Sequence, residues 1–238
     1  MLLRMMDLLF RDPLSFIGLL PIILGTTGAA LVLAITIHEF SHALIANRLG
    51  DETAKRLGRL TLNPLVHLDV LGTLMLFIVG FGWGKPVPVN PYALRGNIRT
   101  GMAKVALAGP VSNLFLAALL SLPVKFGLLA WHSPMRYEPF SQLSASWLLS
   151  DLVGYFIFYN IILAVFNMIP LAPLDGFKVA VGILPRDMSI PFSRLEQYGP
   201  GILLLIIFID NFMGTGILWG LLGPTTDWVG RVIVGKPF

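Results

Sequence analysis

His38-Glu39-Phe40-Ser41-His42 holds the side chains with the clearest capacity for chemistry. Residues four apart on an α-helix share a face, so His38 and His42 can present ring nitrogens to one metal ion. Glu39 is offset by one position. It can stay off the metal and still reach a water held there, as a general base must. His-Glu-x-x-His on a helix is the pattern of zinc hydrolases. With 4 His among 238 residues, a chance occurrence is expected on the order of 0.001 times per chain.

The motif lies inside an apolar stretch from Leu14 to Ala46, longer than the ~20 residues a helix needs to span a bilayer. Two imidazoles and a carboxylate are costly in hydrocarbon, so function is the first reading of such residues. Composition agrees with a membrane protein: 55% of residues are hydrophobic and 13% charged, and mean hydropathy is +0.79. Soluble domains carry roughly a quarter charged residues. The absence of Cys excludes disulfides, thiolate ligands and a thiol nucleophile. A net charge of +4 with pI near 9.6 fits the Lys/Arg excess of cytoplasmic loops, so no nucleic-acid partner is expected; the lipid bilayer is the expected surroundings.

Hydropathy predicts further spans near Val105–Ala130 and Trp147–Ile169. A last apolar segment, Gly201–Leu222, is broken by Asp210-Asn211 and several glycines, and spans once or dips in and returns. Pro21 and Gly25 through Gly28 are expected to kink the first segment. Met1–Asp12, with Arg4, Asp7, Arg11 and Asp12, reads as a helix lying on the membrane surface. A cleaved leader is disfavoured, because the apolar run continues into the metal motif. The loop between Asn47 and Lys104 holds Arg48, Lys55, Arg56, Arg59, Lys85, Arg95, Arg99 and Lys104. The positive-inside rule places it, and the His42 end of the first helix, toward the cytoplasm. Within it, Leu71–Trp83 is apolar but too short to span as a helix, and glycines punctuate it. Pro86, Pro88 and Pro91 keep the chain after it extended. This region is expected to form a re-entrant or interfacial β-hairpin.

A catalytic zinc usually takes three protein ligands and one water. Asp175 is one candidate for the third, in Asn167-Met-Ile-Pro170-Leu-Ala-Pro173-Leu-Asp175-Gly176. Pro170 and Pro173 break the helix there and leave non-helical backbone near membrane depth, which is tolerated only where protein buries it or it borders a wet cavity. His67 and Asp210 compete for the role. An interfacial His67 bonded to Asp69, and an Asp210 that breaks a helix in two, are the plainer accounts of those residues.

The embedded His38-Glu39-Phe40-Ser41-His42 followed by Asn167-x-x-Pro170-x-x-Pro173-Leu174-Asp175-Gly176 resembles the site-2 protease family of intramembrane zinc metalloproteases. Gly109-Pro110-Val111-Ser112-Asn113 is similar to that family's third motif, on the middle core helix. Phe81 to Pro91 looks like a stretch common in a compact bacterial branch lacking PDZ or other appended domains. The resemblance covers residues 38 to 176. It implies one zinc ion held by His38, His42 and Asp175, with Glu39 activating the water. Asn113 and Asn167 become candidates for contacting substrate backbone or supporting the site. The implied substrate is a transmembrane segment of another membrane protein, cut in regulated intramembrane proteolysis at a bacterial cell membrane.

The expected fold is mainly α and polytopic: a three-helix catalytic core, extra flanking helices and the hairpin. Residues 1–238 are expected to form one membrane-embedded domain, with the core over about 28–176, the hairpin region over about 55–100 and the C-terminal segment over about 200–222. The alternative function is a non-proteolytic zinc-binding scaffold or an inactive homologue. No oligomeric state follows from the sequence.

Overall fold

A computed structural model describes residues 13–79, 82–134 and 144–238. The surface helix expected over Met1–Asp12 lies outside these residues, as does most of the loop containing Arg136 and Glu138. The described chain is helical, as the composition implied. Its order is α1 (Pro13–Arg48), α2 (Thr53–Arg56), α3 (Val70–Val79), α4 (Ile98–Lys125), α5 (Ala145–Asn167), α6 (Asp175–Ile183), α7 (Arg186–Ser193), α8 (Gly199–Met213) and α9 (Ile217–Val234).

Three described helices are long and apolar enough to cross a membrane: Leu24–Arg48 of α1, α4 and α5. The chain is therefore a multi-pass membrane protein. These helices pack on one another through seams of small residues at four-residue spacing. On α1 the buried row is Ala30, Ala34, His38, His42 and Ala46; on α4 it is Val105, Gly109, Asn113, Ala117 and Ser121. Ser150, Gly154, Ile157, Ile161 and Ala164 face inward on α5. Between apolar spans in lipid, close backbone approach and internal hydrogen bonds hold helices together, and small residues permit that approach. The two histidines thus belong to the packing seam itself.

Local capping sets where these helices begin. The Asn97 side chain accepts from Thr100 N at 3.3 Å, so α4 starts seven residues before the hydropathic Val105. Ser144 accepts from Trp147 N at 3.1 Å at the start of α5. Both are ordinary N-cap bonds that satisfy otherwise orphaned amides.

The expected β-hairpin is not formed among the described residues. Val70–Val79 is the helix α3; just before it, Leu68 pairs with Gly84 of the returning chain in a single antiparallel bridge. The reason is Asp69, whose carboxylate accepts from Gly72 N at 2.7 Å while its carbonyl accepts from Thr73 N and Oγ1. That cap starts a helix where the glycine spacing suggested a strand.

The last apolar segment is two helices. Gly214 and Gly216 take left-handed conformations, with φ of 62° and 67°, at the break between α8 and α9. Asp210 organises this break, accepting from Thr215 Oγ1 at 3.0 Å and Ile217 N at 2.6 Å. The Arg186–Gln197 stretch bends by 61° from α8; if that bent pair counts as one span, the described chain has up to four. α9 returns to the core, where Ser121 donates to Ile233 O and Trp131 Nε1 to Pro237 O.

Candidate metal centre

His38 and His42 project from α1 toward the N-terminus of α6, where Asp175 is the first residue. Asp175 Oδ2 lies 3.0 Å from His38 Nε2 and 3.1 Å from His42 Nε2. One ligand atom from each residue falls within 4.8 Å of the others. These three, separated by up to 137 positions, are the group among the described residues that the fold brings together. The start of a helix favours a carboxylate.

The donor set fits a metal ion. His38 Nδ1 faces Asn113 Oδ1 at 2.6 Å, and His42 Nδ1 donates to Val105 O at 2.7 Å. A neutral ring that donates at Nδ1 carries its lone pair at Nε2. Both lone pairs therefore point at the Asp175 carboxylate, which is also an acceptor. A metal ion between them would satisfy all three acceptors at once. Second partners of this kind are what orient metal-bound imidazoles. Gly109 leaves the space open: a Cβ there would sit 2.6 Å from Nε2 of each histidine.

Glu39 lies beside the cluster. Its Oε2 accepts from the Val87 N–H at 2.9 Å. Val87 stands between two prolines, which have no N–H, in the extended segment Lys85–Asn90. That segment is pinned along its length. Lys85 N donates to His67 O, the Arg59 guanidinium donates to the carbonyls of Lys85 and Pro86, and Asn90 N donates to Asp51 Oδ2 at 2.7 Å. Asp51 is buried and also accepts from Thr53 N and Oγ1. Burial alone would raise its carboxyl, and these bonds lower it below the usual range.

A cavity of about 130 Å³ opens here, lined by the cluster, Glu39, Val87, Asn167 and Lys178 among others. Asn167 reaches it from the end of α5, with Nδ2 donating to Leu163 O at 3.0 Å. Asn113 does not line it. That side chain is fully buried behind His38, and its amide donates to Ala34 O and Asn160 Oδ1. Of its two expected roles, support of the site is the one compatible with this position. His67 and Asp210 are not in the cluster. His67 is buried, with Nε2 on Thr61 O at 2.8 Å rather than on Asp69. Sequence reasoning missed Asn160, Lys178, Val87 N–H and Arg99. Arg99 on α4 donates to Val181 O and Leu184 O at the C-terminal end of α6, anchoring the helix that carries Asp175. The alternation Pro86-Val87-Pro88 was the available signal for a single exposed amide.

Membrane-length helices closed around a His/His/Asp cluster, with a carboxylate at its edge, define a polytopic membrane protein with an embedded candidate metal centre. A Bacillus subtilis protein named "Putative zinc metalloprotease YwhC" is 36% identical over 222 residues, which cover 93% of this chain and 94% of that one. Two mycobacterial proteins carry the same description under the name Rip2. The one from Mycolicibacterium smegmatis is 28% identical over 200 residues, 82% of this chain and 70% of its own. The one from the Erdman strain of Mycobacterium tuberculosis is 30% identical over 204 residues, 83% of this chain and 70% of its own. The chain belongs to the site-2 protease family. No family model and no solved structure matches it.

Proposed function

We propose that the chain is an intramembrane zinc endopeptidase that hydrolyses peptide bonds in or beside transmembrane segments of other membrane proteins. The observation that carries this reading is the Glu39 carboxylate set beside His38, His42 and Asp175 in one cavity among membrane-length helices. The names of the relatives support zinc as the metal and peptide hydrolysis as the reaction. Zinc supplies Lewis acidity, lowering the pKa of water and polarising a carbonyl.

Glu39 does the proton work. With Oε2 held by Val87 N–H, Oε1 is the atom that takes a proton from the attacking water. The same carboxyl then gives that proton to the leaving amide nitrogen, so the C–N bond breaks after the C–O bond forms. His38 and His42 each turn Nδ1 to a protein acceptor, which leaves Nε2 to hold the metal. A cavity of about 130 Å³ cannot take a helix ~10 Å across. The substrate therefore enters unwound, and the extended Lys85–Asn90 segment offers it a backbone edge, in the manner of strand addition. The Lys/Arg-rich Asn47–Lys104 side faces the cytoplasm in this reading.

The test is Glu39→Gln against wild type, purified in detergent or liposomes. Bound zinc and cleavage of single-span membrane substrates are measured together. Full zinc in both, with cleavage lost in the variant, is the expected result. Equal cleavage by both refutes Glu39 as base, and zinc without cleavage by either favours the inert scaffold.

A further inference from the structure

We infer that Asn160 is a positioning residue for the metal centre: it fixes the direction of a buried hydrogen-bond chain that ends on His38. The inference rests on the metal-site reading above and adds a third helix to it.

Asn160 lies on α5, Asn113 on α4 and His38 on α1, and both amide side chains are fully buried. Asn160 Nδ2 donates to Phe156 O at 2.8 Å, which leaves its Oδ1 as an acceptor. Asn113 Nδ2 donates to that Oδ1 at 2.8 Å and to Ala34 O at 3.0 Å. The two backbone carbonyls are acceptors that cannot reverse. Turning Asn160 over would put its oxygen against Phe156 O and its nitrogen against the Asn113 amide. Turning Asn113 over would put its oxygen against two acceptors. Each alternative leaves buried polar atoms facing their own kind, which is costly away from water. Only one orientation satisfies all the bonds, and it aims Asn113 Oδ1 at His38 Nδ1, 2.6 Å away. The proton of His38 is thereby kept on Nδ1 and the lone pair on Nε2, toward Asp175.

Without Asn160, Asn113 would keep Ala34 O as its one amide partner and one N–H would be left buried and unpaired. Ala34 O would still oppose a flip of the amide, but this single tether would hold the aim of Asn113 Oδ1 on His38 Nδ1 less tightly. A residue that merely joined α4 to α5 would affect stability alone. A positioning residue must also change how the metal is held, and an acceptor restored at position 160 must recover it.

The experiment uses the full chain in detergent with Asn160→Leu, Asn160→Ala and Asn160→Asp. Zn²⁺ affinity is measured by competition with a chromophoric chelator, and the site is also read from the Co²⁺ absorption spectrum. Asn160→Leu and Asn160→Ala should weaken Zn²⁺ binding by roughly 10- to 100-fold, the range of orienting partners in metal sites, and alter the Co²⁺ bands. Asn160→Asp, kept neutral by burial, offers an acceptor to Asn113 Nδ2 and an O–H to Phe156 O, and should recover most of the affinity and the spectrum. Alanine decides the matter if the leucine variant does not fold. Wild-type affinity and spectrum in the alanine variant would overturn the inference, and so would equal losses in alanine and aspartate. The readout is metal rather than cleavage. A protein that binds Zn²⁺ and cuts nothing would refute the protease reading and leave this inference standing.

Discussion

Gly109→Ala offers the sharpest test of the site geometry. The added methyl would lie 2.6 Å from His38 Nε2, His38 Cε1 and His42 Nε2, whereas ordinary contacts begin at 3.4 Å. Helix α4 or the two rings must move by about 0.8 Å, well beyond the ~0.2 Å tolerance of metal–ligand distances. The rings cannot absorb this freely, because their Nδ1 atoms are tied to Asn113 and to Val105 O. Disturbing the orientation of metal ligands costs roughly 10- to 100-fold in affinity, so metal affinity should fall by up to about 100-fold, or ~2.7 kcal/mol. Helix content should be unchanged. Gly25→Ala is the control: a Cβ there meets nothing within 4 Å, and alanine in a helix gains roughly 0.5–1 kcal/mol over glycine. Chelator competition and thermal melts of both variants make the measurement. Wild-type affinity in Gly109→Ala would refute the arrangement of α1 against α4 described here.

Two further predictions concern the extended segment. Val87→Pro removes the N–H that holds Glu39 Oε2; zinc content should stay full while kcat falls by about 10- to 100-fold, part of what a positioned base contributes, as measured on a reconstituted substrate. Asp51 has a depressed carboxyl through its bonds from Thr53 and Asn90. Its stabilising contribution should be complete above the ordinary Asp value of about 3.9 and disappear as pH falls through the lower folded value. Melts of Asp51→Asn against wild type should therefore differ at neutral pH and converge in acid.

The parts of the site that a reader of sequence can reach are those carried by local spacing. His38, Glu39 and His42 follow from the helical repeat. Asp210 as a break between helices was also legible, because an acidic residue followed by two glycines in an apolar run has few other uses. Asp175 is 137 positions from His38, and no local rule selects it over His67; the proline pair and the family resemblance do. Asn160 has no spacing relation to any motif, since its partners come from two other helices. The α3 region was misread because Gly72, Gly80, Gly82 and Gly84 suggest interrupted strands. One Asp69 carboxylate on Gly72 N decides otherwise. Val87 N–H on Glu39 joins residues 48 apart and depends on Arg59 and Asp51 holding the segment in place.

His38 and His42 occupy the same buried row of α1 as Ala30, Ala34 and Ala46. The neighbouring helices therefore already accept a methyl group at three of the five steps of that row. Alanine at both histidines would leave an unbroken alanine face, which close-packed membrane helices tolerate well, with water in the enlarged cavity taking the place of the imidazoles at Asn113 Oδ1 and the Asp175 carboxylate. Loss of the metal and loss of the fold are thus separable in this architecture. A duplicate copy of such a chain could shed its chemistry in two substitutions and persist as a membrane-embedded binding protein with the same shape.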